Sequence, residues 1–162
     1  MNALAEFAQK WSHPDSFPTP VTRADLDAVQ LELGIRFPQD YRFQVLTVGL
    51  PHPALALSSG ILDRNVDLFD LSDLHDPQTI LEQTRGWHQA GTPAWMVAIG
   101  SDPLGNTFGF DMRELRTGQV AQAAVFFWDH GFGEVTPVAD SFSAWIESYL
   151  GAWADGLSYA DF

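Results

Sequence analysis

Cysteine is absent from the 162 residues, so disulfides, thiolate nucleophiles and thiolate metal sites are excluded together. Positive charge is scarce: eight Lys and Arg face 21 Asp and Glu, for a formal net charge of -13. Lys10 is the sole lysine. Nucleic-acid binding rests on cations neutralising phosphates, and eight cations scattered along the chain scarcely allow a basic patch, so phosphate-rich partners are expected to be repelled. A basic protein partner is favoured instead, because opposite fields speed and orient docking. Solubility alone is the competing use of such acidity. No apolar run approaches the roughly 18 residues that a membrane span requires. The N-terminal stretch MNALAEFAQKWSHPDSF carries acids and a tryptophan where a secretory leader needs a basic start and a continuous apolar stretch. A soluble, cytoplasmic chain is the expectation.

What the chain does have is core-forming material. Hydrophobic residues make up 46% of it and aromatics 13%, which separates it from disordered sequences that lack the apolar surface to offset chain entropy. The length suits one domain over residues 1–162, able to bury about two-thirds of its unfolded surface.

Periodicity and punctuation place the elements. Leu4, Phe7 and Trp11 recur at helical spacing until HPDSFPTP breaks the pattern with three prolines. Thr22 is positioned to cap a second helix carrying Leu26, Val29 and Leu33, and Gly34 suits its left-handed end. Pro38 reads as the first position of a third helix, with Asp40 in its first turn and Tyr41, Val45 and Leu46 facing inward. From about Ser58 the pattern changes to short apolar runs: GIL, VDLFDL, WMVAIG, NTFGFDM, VAQAAVFFW and EVTPVA read as strands. Asp76-Pro77 opens QTILEQTRGW as an intervening helix. Asp140 or Ser141 caps a last one through Phe142, Trp145, Ile146, Tyr149 and Leu150, ending at Gly151. The tail from 151 to 162, with Trp153, Tyr159 and Phe162, is expected to fold back on the domain. Helices first, strands clustered in the middle and a closing helix indicate an α+β fold with helices flanking a largely antiparallel sheet. SDPLGN and DHGFGE supply the turns of two hairpins.

The chemistry-bearing residues read mostly as scaffold. Asp129-His130 resembles the general-base half of a hydrolytic apparatus, with Ser101, Thr107 and Ser141 as available hydroxyls. Adjacent strand residues point to opposite faces, however, and no hydroxyl sits in a Gly-x-Ser-x-Gly elbow. The tip of a hairpin is the preferred reading. Histidines 13, 52, 75, 88 and 130 are dispersed without the spacing of a zinc helix. Asp67, Asp70, Asp73 and Asp76 alternate with Leu68, Phe69, Leu71 and Leu74 rather than surrounding the central glycine of a calcium loop. GSDPLGNTFGF lacks the lysine and spacing of a phosphate loop. No catalytic centre, metal or cofactor is expected.

Two segments together resemble a known family. LELGIRFPQDYRFQVLTVG, residues 31–49, is similar to the amino-terminal signature of the SUKH superfamily, the Smi/Knr-like proteins: a helix ending in Leu-Gly, then Pro-x-Asp-Tyr and a helix running to glycine. VAIGSDPLGNTFGFDM and VFFWDHGFGEVTPVADSFSAWI resemble its later hairpin, aromatic strand, acid-His turn and closing helix. The likeness covers about residues 22–150. Val48-Gly49 replaces the family's frequent Asn-Gly, and LPHPALALSSG reads as an individual connector. The shared residues have structural work: Gly34, Gly49 and Gly105 meet backbone needs, Asp102 and Asn106 bond their own turn, and Tyr41, Phe108, Phe110, Trp128, Phe142 and Trp145 are core candidates. The resemblance implies a non-enzymatic bacterial immunity protein that binds a cognate toxin, often a nuclease, and occludes its active site. The alternative it implies is a stand-alone regulatory or scaffold module like the fungal cell-wall regulators. On that reading Asp63, Asp67, Asp70, Asp73, Asp129 and Glu134 form the anionic surface that meets a basic partner.

Overall fold

The structure is a computed structural model that describes residues 2–161. Its helices start where the side chains dictate. Asn2 accepts from the Ala5 N–H to open α1 (Ala3–Trp11), and Thr22 accepts from Asp25 N to open α2 (Arg23–Leu33), which stops at Gly34 with φ 66°. α3 (Gln39–Val48) begins one residue after Pro38, which therefore stands at the cap rather than at the first helical position. Asp76 caps α5 (Pro77–Ala90), and Ser141, not Asp140, caps α7 (Phe142–Ser148) by accepting from Ala144 N at 3.0 Å.

Between them lies an antiparallel meander in which each strand pairs with its chain neighbour: β1 (Asp73–Leu74), β2 (Met96–Ser101), β3 (Thr107–Asp111), β4 (Val125–Asp129) and β5 (Glu134–Ala139). One face presents Val97, Ile99, Phe108, Phe110, Val125 and Phe127 to the helices. Against it pack Leu4, Phe7 and Trp11 of α1, Tyr41 of α3, and Phe142, Trp145 and Ile146 of α7, all essentially dry. Tyr41 meets Phe37, Phe110 and Phe142 at ring-centroid separations of 5.0, 5.5 and 5.0 Å. Such contacts add about 0.5–1.5 kcal/mol each beyond area burial. Gln44 ties the three helices by accepting from Leu4 N and donating to Ser143 Oγ. Trp128 is buried too, but on the other face, under Trp87 at 5.2 Å, so it belongs to no part of the main cluster.

The β2 edge is closed by a helix. Beyond the two residues of β1, the Ala98 N–H donates to Thr84 Oγ1 and the Met96 carbonyl accepts from His88 Nε2, both side chains of α5. Backbone groups that would template another strand are thereby satisfied.

Several expectations need correction. GIL is not a strand: it lies in α4 (Leu55–Asp63), and the supposed connector LPHPALALSSG supplies most of that helix. VDLFDL is irregular, and only Asp73–Leu74 after it is strand. Of VAQAAVFFW only the part from Val125 pairs, preceded by the short α6 (Met112–Leu115) and a loop. The tail does fold back: Trp153 stacks on Trp11 at 6.0 Å and Tyr159 N donates to the Lys10 carbonyl, while Phe162 lies outside the described residues. Among the described residues no helix is long and apolar enough to cross a membrane.

Candidate functional site

Two turns close the sheet at one end. In the first, between β2 and β3, Asp102 Oδ1 accepts from Leu104 N and Asn106 N at 2.9 and 2.8 Å, and Gly105 takes φ 85°. In the second, between β4 and β5, Asp129 Oδ1 accepts from Gly131 N and Phe132 N at 2.8 and 3.2 Å. Short acidic side chains holding their own turns is what their chemistry favours.

The two turns are also bonded to each other. Asn106 donates to Asp102 Oδ2 at 2.9 Å and accepts from His130 N at 3.2 Å. His130 Nε2 donates to the Leu104 carbonyl at 3.0 Å while its ring stacks on Trp87 at 5.6 Å. Asp129 and His130 thus face different partners, and the carboxylate does not orient the imidazole. Nor, among the described residues, does a hydroxyl bond that ring: Ser141 caps α7, Thr107 is fully buried with its hydroxyl unpartnered, and Ser101 lies in the β1–β2–β3 ladder. The hairpin-tip reading of the pair is the one that the geometry bears out. Among the described residues no three metal-ligating side chains converge.

The linked tips project Leu104 and Phe132 into solvent, 78% and 81% exposed. Sequence reasoning passed over both, although an apolar residue at a turn position normally given to polar ones is a legible signal. The segment 66–72 crosses the same end of the sheet. Phe69 stacks on Phe127 at 4.0 Å, its carbonyl accepts from the Tyr149 hydroxyl at 2.7 Å, and Ser72 N donates to the Ser101 carbonyl. Burial pushes the Tyr149 hydroxyl up, and the charges of Asp70 and Asp102 push it further against the opposing bond from Trp145. The Ser72–Ser101 bond sets the segment carrying Asp70 alongside Asp102.

Most of the expected acidic residues fall there. Asp73 pairs in register with Ser101, and Asp129 lies opposite Glu134, so the carboxylates follow the strand ends across a row of about 20 Å at ~4.8 Å per strand. Asp70 accepts from Ser58 and from Leu71 N, and Asp67 is exposed in the crossing segment. Asp63 stands apart at the end of α4, beside Arg64, whose guanidinium is held by the carbonyls of Trp153 and Asp155. Asp102, not among the expected set, joins the row. Among the described residues none of Asp67, Asp70, Asp102, Asp129 and Glu134 has an ion-pair partner.

The cations are not scattered as expected. Arg23, Arg36, Arg42 and Arg116 line a single groove on the helical side, and among the described residues Asp27 is the one carboxylate in its lining.

A comparison with curated proteins finds no match. A comparison with family models finds one, over residues 20–148, which takes in the helices from α2 onward, all five strands and α7. With that share of the chain matched, and with the Gly34, Asp102 to Asn106 and Ser141 elements in place, the protein belongs to the SMI1 / KNR4 family (SUKH-1).

Proposed function

We propose that the protein is a non-enzymatic immunity protein that docks on a cognate toxin through the hairpin end of its sheet and occludes the toxin's active site. The observation that carries this reading is the pairing of two exposed apolar tips, Leu104 and Phe132, with surrounding carboxylates of which Asp67, Asp70, Asp102, Asp129 and Glu134 have no ion-pair partner among the described residues. Apolar anchors that exclude water set residence time, and the anionic rim steers a basic partner and raises its association rate. Family membership supports a role in protein binding, and immunity proteins are the function implied by the bacterial members of this family. Asp67, Asp70, Asp73, Asp129 and Glu134 form the rim on this reading; Asp63 contributes from its periphery. The partner would be a basic protein, a nuclease fitting best because the carboxylate row offers negative charge where that enzyme takes phosphates. The place of action is the cytoplasm.

The test is co-expression with the product of an adjacent toxin gene. Rescue of growth together with a stable complex, both weakened by Leu104→Asp and Phe132→Ala, is the expected result. Rescue unaffected by either substitution would move the interface elsewhere, and absence of such a gene would favour the stand-alone regulatory module.

A further inference from the structure

We propose that the arginine groove is a binding site for a short polyphosphate group. Four of the chain's eight lysines and arginines line it, drawn from α2 (Arg23), the link after it (Arg36), α3 (Arg42) and the turn after α6 (Arg116). Folding brings them together where the Arg36 N–H donates to the Leu115 carbonyl at 2.9 Å. In a protein of net charge -13 this is the reverse of random placement.

The cations outside the groove are already engaged. Arg85 pairs with Glu32 and Arg113 with Asp111, Arg64 donates to two carbonyls and Lys10 lies over the Trp11 ring. Inside it only Arg42 has a carboxylate partner among the described residues. Asp27 is shared between Arg42 at 3.6 Å and Gln30 at 3.1 Å. Arg23, Arg36 and Arg116 are exposed and, among the described residues, pair with no carboxylate. Arg42 is the fixed member: its side chain is 13% exposed and its Nε is buried with no hydrogen-bond partner among the described residues.

Like charges gathered against their mutual repulsion want an anion, and guanidinium forks match pairs of phosphate oxygens. The groove is open to solvent and holds about 620 Å³, room for a small anion lying across its surface. Asp25, Glu32 and Glu114 are exposed on the flanking elements α2 and α6, so a long nucleic acid leaving the groove would meet negative surface. The ligand is therefore short.

Calorimetry and thermal denaturation of the full chain with inorganic tripolyphosphate at low salt test this, with ATP as a second arm. One-to-one binding is expected, with a rise in Tm of roughly 5–10 °C at a hundredfold excess over Kd and a loss of affinity as salt is added. Tighter binding of ATP would assign the phosphates to a nucleotide, and equal binding to a bare polyphosphate. Arg23→Gln with Arg116→Gln, both exposed positions, should weaken binding roughly tenfold or more without lowering the unliganded Tm, whereas Arg85→Gln should leave binding unchanged. Three results would overturn the proposal: no binding above that of the double variant, affinity that grows with oligonucleotide length, or low-salt self-association that the double variant abolishes, which would assign the groove to the acidic end of a second copy.

Discussion

Asn106 and His130 are joined across two hairpins: the asparagine side-chain oxygen accepts from the histidine backbone N–H at 3.2 Å, with the asparagine itself only 7% exposed. Asn106→Ala removes that bond and the one to Asp102, leaving a donor and an acceptor unpaired. A loss of about 1–3 kcal/mol is expected, which lowers Tm by roughly 2–4 °C per kcal/mol for a chain of this size. Thermal denaturation measures it, and an unchanged Tm would mean that the tips are independent.

Gly109 pairs with Ala98 across β3 and β2. A Cβ there would fall on the Val97 carbonyl oxygen and within 2.7 Å of Met96 Cγ. Backbone cannot yield as a side-chain end can, so Gly109→Ala should cost about 1–3 kcal/mol or abolish folding. Gly86→Ala, where the same atom meets nothing within 4 Å on a helix, should be neutral or stabilising.

Thr84 closes the sheet edge through its bond from Ala98 N. Thr84→Val keeps shape and buries an unpaired N–H, with an expected loss of about 1–3 kcal/mol. Faster aggregation on heating should accompany the loss, read by light scattering, because the edge is reopened.

His75 is 4% exposed, with Nδ1 unpartnered among the described residues and Nε2 at 3.5 Å from Asp73. Burial holds its imidazole below the ordinary range, against the pull of Asp73, the Ala98 backbone and Asp76. The folded state therefore binds fewer protons than the unfolded chain near its ordinary value of about 6.5, so stability rises with pH and is lost as pH falls through that value. Urea midpoints between about pH 7 and 5 should fall in the native protein by more than in His75→Leu.

Glu134 lies directly opposite Asp129 in the ladder. Replacing it by lysine turns a repulsive pair into an attractive one, a gain of about 0.2–1 kcal/mol. On the proposed docking mode the same change slows association with a basic partner, so stability and binding should move in opposite directions. Stopped-flow rates at two ionic strengths check the second half.

Much of the architecture was readable along the chain because caps and periodicity act locally. Thr22, Asp76 and Ser141 open helices as their side chains demand, and Leu26, Val29, Trp145 and Ile146 mark the faces that are buried. α4 was missed because LPHPALALSSG reads as a connector and GIL as a strand. Gly60 is instead small because Leu157 and Trp153 close over it, a contact from far along the chain. VDLFDL alternates like a strand, yet Phe69 is held by Phe127 and Tyr149 rather than by a neighbouring backbone. At the candidate site, the acids were visible one by one, while the bridge through Asn106 and the gathering of four arginines exist only after folding.

The hairpin tips are shaped by Asp102, Asn106 and Asp129 acting on backbone atoms, and the residues they display, Pro103, Leu104 and Phe132, are exposed rather than part of the core. Scaffold and display are thus written in separate letters. Substitutions at the displayed positions leave the framework standing, so a lineage can exchange them generation by generation while inheriting the same architecture intact.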